Sequence, residues 1–215
     1  MPEKILLIIG AGPGISLNTA RKFGKEGFKV ALISRSIESL QKYENELKND
    51  GIVAKGFSGD VSSEESLKTA IDKVIKTYGK IDALLYNAAS GRPGKPTTLS
   101  TDQLVEDFKI SVAGALTSVQ EVIPYMQNGT ILLTGGGLAL YPYADYSSLA
   151  IGKAGIRNLA YSLNQELSPK GIYVGTLTIK GFVEEGTYFS SENIAETFYH
   201  MYKNREDVEV TFEEK

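Results

Sequence analysis

Seven short apolar runs, five to eight residues long and rich in Ile, Leu and Val, recur along the chain and are separated by longer amphipathic stretches. Runs of this length without polar alternation suit strands that are buried on both faces. Helical stretches between them then cover a parallel sheet on both sides. The runs span 4–9, 29–33, 52–57, 81–86, 130–134, 172–179 and 208–212, with helices expected over 16–26, 37–48, from 101 toward Ile123, 147–167 and 191–203. Leu40, Tyr43 and Leu47 form one helical stripe, which Gly51 is placed to end. Ser62 with Glu65, ahead of the stripe Leu67, Ala70, Ile71 and Val74, reads as a capping box, as does Ser100 with Gln103. The expected fold class is α/β, a doubly wound sheet of about seven parallel strands with helices on both faces. With 215 residues and no shift of composition or internal repeat, 1–215 reads as a single domain.

The net charge is −3, so the surface disfavours nucleic acid and anionic membranes as partners. The apolar runs are too short to span a bilayer, and residues 1–4 lead straight into the first of them, so the chain reads as cytoplasmic. There is no Cys, which excludes disulfides, thiol catalysis and thiolate metal sites, and His200 is the only His. No metal site is expected. His200 sits among Phe198, Tyr199 and Tyr202, which points to a buried or interface position.

In an open α/β sheet, ligands bind beyond the carboxyl ends of the strands, near the point where the strand order reverses. The first such loop is Gly10-Ala11-Gly12-Pro13-Gly14-Ile15-Ser16, directly ahead of a helix. Glycines allow a tight turn and close approach of a pyrophosphate, and the helix start offers free N–H groups and a positive dipole end. A purely structural strand-to-helix turn would look the same. The second strand ends at Ser34-Arg35. A neutral Ser leaves out the carboxylate that would repel a 2′-phosphate, and Arg35 can pair with one, unless it is merely a solvated residue at a helix start. Asp60-Val61 follows the third strand and Asn87-Ala88 the fourth; Asp60 equally suits a turn.

These motifs, in this order, resemble the short-chain dehydrogenase/reductase family, and the resemblance runs from Lys4 to Phe212. It implies a Rossmann-type dinucleotide-binding domain with a short substrate-side loop after strand six. Gly10 and Gly14 match the first two glycines of the family's Gly-x-x-x-Gly-x-Gly turn, and Ser16 stands where the third is usual. The resemblance implies that Gly10, Gly12, Gly14, Ile15, Ser34, Arg35, Asp60, Val61, Asn87, Ala88, Lys153 and Gly181 hold the cofactor, and that the cofactor is NADP(H). Members carry out hydride transfer with a Ser, a Tyr, a Lys and an Asn. The segment from Gly152 to Leu159 resembles the one that begins at the catalytic Lys, so Lys153 takes that role. The Tyr position is Leu149, the Ser position Gly136, and the Asn position Ser111.

Hydride transfer to a carbonyl needs a positioned acid. Tyr146, seven residues before Lys153, returns to the same helix face, and Thr134, Ser147 and Ser148 are further donors. Tyr141, Tyr143 and Tyr146 could equally be residues that line a pocket. The expected function is an NADP(H)-dependent oxidoreductase with an altered proton donor, in which Lys153, Tyr146 and Thr134 act on a small-molecule substrate. The alternative is an NADP(H)-binding sensor without redox turnover. The family resemblance also implies a homodimer or homotetramer.

Overall fold

The computed structural model describes residues 3–214, so the ends of the expected 1–215 domain lie outside the described residues. Seven strands form one parallel sheet: β1 (Lys4–Ile9), β2 (Phe28–Ser34), β3 (Ala54–Ser58), β4 (Ala83–Tyr86), β5 (Thr130–Thr134), β6 (Tyr173–Ile179) and β7 (Glu209–Phe212). Their order is β3-β2-β1-β4-β5-β6-β7. The connecting helices are α1 (Ile15–Lys25), α2 (Ile37–Asn49), α3 (Glu64–Tyr78), α4 (Thr101–Phe108), α5 (Gly114–Val122), α6 (Ser147–Leu167) and α7 (Ser191–Asn204).

Alternate residues of each strand point to opposite faces, and the sheet therefore divides the interior into two cores. Ile5, Leu7 and Ile9 of β1 pack with Leu67 and Ile71 of α3, Val119 of α5 and Ile156 of α6. Leu6 and Ile8 pack on the other face with Phe23 of α1, Leu47 of α2 and Phe198 of α7. Burial of both faces explains the apolar runs of the central strands. The chain moves outward from β1 to β3 and then returns to pair β4 with β1, which places the switch point between the ends of β1 and β4.

Several expectations are corrected in detail. The helix after β1 starts at Ile15 and β3 starts at Ala54, each within two residues of the reading from sequence. The capping box at Ser62 does not form. Asp60 Oδ1 accepts both the N–H (2.9 Å) and the hydroxyl (2.7 Å) of Ser62, so Ser63 becomes the cap and accepts from Ser66 N–H. The box at Ser100 and Gln103 forms with both of its bonds. The long helix after it is interrupted by a π-helical turn at Lys109–Ala113, between α4 and α5. That turn frees the Ile110 carbonyl to accept from the Tyr86 hydroxyl, and Gly114 leaves room for the ring's edge. Tyr86 is buried, and burial pushes its pKa up. His200 is exposed on α7 rather than buried in the chain. Among the described residues, no helix is long and apolar enough to cross a membrane, and no cluster of His, Cys, Asp and Glu could hold a metal.

Candidate active site

At the switch point, Gly10 has φ +85°, and a Cβ there would lie 2.5 Å from the Ala88 nitrogen. Only glycine lets the β1 turn pass this close to the loop after β4. Gly12, in contrast, faces open space. α1 begins at Ile15, just after Gly14, with no side-chain cap and no acidic residue in its first turn. Leu17 N–H bonds the Gly12 carbonyl, which leaves the N–H groups of Ile15 and Ser16 and the positive dipole end at the helix start. These residues fit a dinucleotide pyrophosphate.

Ser16, the departure from the usual third glycine, is fully buried. Its hydroxyl donates to the Gly10 carbonyl (2.8 Å) and accepts from Asn87 Nδ2 (2.8 Å). The added hydroxymethyl group therefore ties the glycine turn to the end of β4. Asn87 also donates its backbone N–H to Ile9, which secures the same junction.

Arg35 is exposed just past β2, and Ser34 beside it is half-buried and neutral. Asp60 holds the turn after β3: the Ser62 N–H lowers its pKa most, burial opposes this, and the Ser62 hydroxyl and Arg35 charge lower it further. Asp60 thus has the turn role that its sequence position allowed, and it lies within the field of Arg35. Val61 is half-buried next to it.

A cleft of about 830 Å³ opens along the carboxyl ends of β1, β4, β5 and β6. Its lining brings together Ile15 and Asn87, Lys153 and Tyr146, and Gly181, Phe182 and Val183. Gly181 lies directly under the Phe189 ring, and a Cβ there would meet the ring tip at 2.4 Å and force it to move. The short segment between β6 and α7 leaves the cleft open, with Phe182 84% exposed at its mouth.

Lys153 projects from α6, and its ammonium donates to the Thr134 carbonyl at the end of β5 (2.8 Å). Burial lowers its pKa to about 8. Thr134 contributes this carbonyl rather than the hydroxyl donor expected from sequence: its Oγ1 is buried and has no partner among the described residues. Gly136 lies against the Lys153 side chain, with a would-be Cβ 3.4 Å from Cε. Leu149 packs tightly on Gly91 and lines the cleft without offering a proton. Tyr146 is the residue just before α6, 41% exposed, and it lines the cleft together with Lys153.

Ser147 and Ser148 are not available as donors to a ligand. Both are buried; Ser147 Oγ donates to Gly94 O (2.8 Å), and Ser148 Oγ to the Asp107 carboxylate. Asp107 was not singled out from sequence. It is 1% exposed, and its other oxygen accepts from Ser90 Oγ at 2.6 Å. Burial pushes its pKa up, yet the hydroxyls of Ser148 and Ser90, with the N–H and charge of Arg92, outweigh this and hold it below the usual range. Ser111 in the π-helical turn bonds both the N–H and the carbonyl of Ser90. The loop after β4, α4 and the start of α6 are thereby locked together behind the cleft. The signal for this network was a carboxylate and a serine, Asp107 and Ser111, on the stripe that continues Leu104.

Residues 4–190 match the family model described as short chain dehydrogenase. The chain is 31% identical over 183 residues to a glucose 1-dehydrogenase of Gluconobacter oxydans, covering 81% of this chain and 67% of that protein. A short chain dehydrogenase from Mycobacterium smegmatis superposes with a TM-score of 0.90 at 20% identity, covering 99% of this chain and 92% of the other. A metagenomic short-chain oxidoreductase, solved in complex with NADP, superposes with a TM-score of 0.87 at 21% identity, covering 97% and 96%.

Proposed function

The chain belongs to the short chain dehydrogenase family, and from that premise we propose that it is an NADP(H)-dependent oxidoreductase whose proton donor is displaced from the usual position. One observation carries the reading: a single cleft joins Ile15 and Asn87, at the pyrophosphate-binding turn, to Lys153 and Tyr146. Bound NADP(H) would supply the hydride. Gly10, Gly12, Gly14 and Ile15 hold the pyrophosphate against the α1 start. Ser34 and Arg35 accept the 2′-phosphate, Asp60 and Val61 flank the adenine, and Ala88, Asn87 and Gly181 bound the nicotinamide end.

Lys153 holds the nicotinamide ribose. With Leu149 and Gly136 in place of the family's Tyr and Ser, the phenol of Tyr146, just ahead of α6 rather than on its helical face, is the hydroxyl that can protonate a substrate oxygen. Tyr146 stands at the mouth of α6, free of the tight packing that removes Ser147 and Ser148. The substrate is a small molecule, the protein acts in the cytoplasm, and it works as a homodimer or homotetramer.

The deciding experiment measures NADPH and NADH binding by calorimetry, and then NADPH consumption against a panel of carbonyl compounds. NADPH should bind more tightly, Lys153→Ala should weaken that binding, and Tyr146→Phe should abolish carbonyl reduction while leaving binding intact. Reduction that survives Tyr146→Phe would put the proton donor elsewhere. Binding without turnover of any compound would favour a sensor role, a reading that rests on the missing donors at Leu149 and Gly136.

A further inference from the structure

We propose that the preferred substrate of this cleft is a planar iminium, a compound with a C=N⁺ group flanked by apolar rings or chains, rather than a ketone or aldehyde. The inference deepens the NADP(H) reading above and rests on it for turnover. It starts from what the cleft can supply to the reacting group. A carbonyl that takes a hydride leaves negative charge on oxygen, and a site without a fixed donor to that oxygen loses about 10²–10³ in rate. Loss of a matched acid costs a further factor of about 10²–10⁴.

Here Leu149 and Gly136 offer no donor, and the Thr134 hydroxyl is buried. The Lys153 ammonium is directed at the Thr134 carbonyl rather than at a tyrosine. Tyr146 is exposed at the helix start. These losses do not matter for an iminium. Hydride adds to its carbon, the C=N π pair moves onto nitrogen, and the cation becomes a neutral amine while the reduced nicotinamide becomes oxidised. No proton is transferred, and no anion forms.

The walls fit a cation of this kind. Tyr141, Tyr143, Tyr146, Phe182 and Phe189 line the cleft. One of them already holds a cation: Lys180 Nζ lies 5.7 Å from the centre of the Tyr141 ring. Aromatic faces attract positive charge, more strongly where water is excluded. Lys180 is neutralised by Glu213 at 2.9 Å, and Glu214 adds another carboxylate to the lining. The formal charges of the lining balance, Lys153 and Lys180 against Glu213 and Glu214. A neutral ketone gains nothing from the ring faces as a charge, whereas an iminium does.

Two probes of one shape separate the classes: 2-methyl-3,4-dihydroisoquinolinium, which carries its charge permanently, and the neutral ketone α-tetralone. Calorimetry on the protein without cofactor should give about tenfold tighter binding of the iminium. With NADPH present, kcat/KM for the iminium should exceed that for the ketone by about 10²-fold or more. Equal or tighter binding of the ketone overturns the proposal. So does equal or faster reduction of the ketone, or a protein that binds NADPH and reduces neither probe. If NADPH does not bind, the oxidoreductase reading falls instead, and the affinity comparison without cofactor still decides the charge preference of the cleft.

Discussion

Arg35 and Asp107 are both charged residues near the site, and their surroundings give them opposite work. Arg35 is exposed with its guanidinium in water, so its value lies in a ligand it has yet to meet. A charged hydrogen bond to a 2′-phosphate is worth about 1.5–3 kcal/mol. Arg35→Asp removes that bond and adds repulsion, so the preference for NADPH over NADH should reverse in calorimetric titrations. Equal affinity of the unmutated protein for the two cofactors would remove Arg35 and Ser34 from the account of specificity.

Asp107 is buried with its partners already in place, and its worth appears in stability. Its folded pKa lies below the ordinary carboxylate value of 3.8. Its charged form therefore stabilises the folded state above the unfolded pKa, and that contribution fades as pH falls through the lower, folded value. Asp107→Asn should cost about 1–3 kcal/mol at neutral pH, because Ser90 and Ser148 lose a charged acceptor. In urea unfolding, the gap between variant and parent should narrow below about pH 4. A gap that stays constant down to acid pH would mean that Asp107 acts by shape alone.

α6 shows how the sequence departures act through a whole element. Its start is fixed by Ser147 on Gly94, Ser148 on Asp107 and Leu149 on Gly91. Lys153 then falls beside Gly136, whose extended backbone (φ 178°) accepts any residue. Gly136→Ser places a hydroxymethyl group in ordinary contact with Lys153. Leu149→Tyr must turn its ring from Gly91 toward the cleft. Together the two changes should raise ketone reduction by at least about tenfold, since each supplies a donor to the developing oxyanion. A correctly folded double variant with no gain would show that the reacting carbon does not lie near α6.

The element pattern was legible because both faces of the sheet are covered, so the central strands left runs dominated by apolar residues, while the edge strands β3 and β7 carry Lys55 and Glu209. The glycine turn was legible from its local composition and Arg35 from its charge just past the second strand, whereas Lys153 was singled out by the resemblance of the Gly152–Leu159 segment to the family. The Ser63 cap was not, because Asp60 captures Ser62 through a contact that two adjacent serines cannot disclose. The use of the Ser147 and Ser148 hydroxyls was also hidden. Their partners lie 53 and 41 residues away in sequence, on a loop and a helix whose approach only tertiary packing sets.

At the level of the molecule, the unpartnered surface lies on the outer side of α4, α5 and α6. Val105, Phe108, Leu116, Ile151 and Tyr161 are all exposed there, a concentration that a monomer in water has no use for. Between α4 and α6 runs an apolar groove lined by Leu104, Ile151 and Ala154. Ala154, small and exposed on the same face of α6, allows a second helix to approach closely there. A stable interface buries about 800 Å² on each partner, and a pair of helices of this length can supply such a face. Closed two-fold symmetry puts the same patch on both sides, so each exposed residue is covered by the other copy. The expected state is therefore a homodimer, or a tetramer formed from two such dimers, visible by light scattering at micromolar concentration. Ile151→Glu with Phe108→Glu would place like charges opposite one another across the two-fold axis. That variant should sediment as a monomer while its circular dichroism stays that of the parent. A parent that is monomeric at micromolar concentration, or a variant that still assembles, would show that this face has another use.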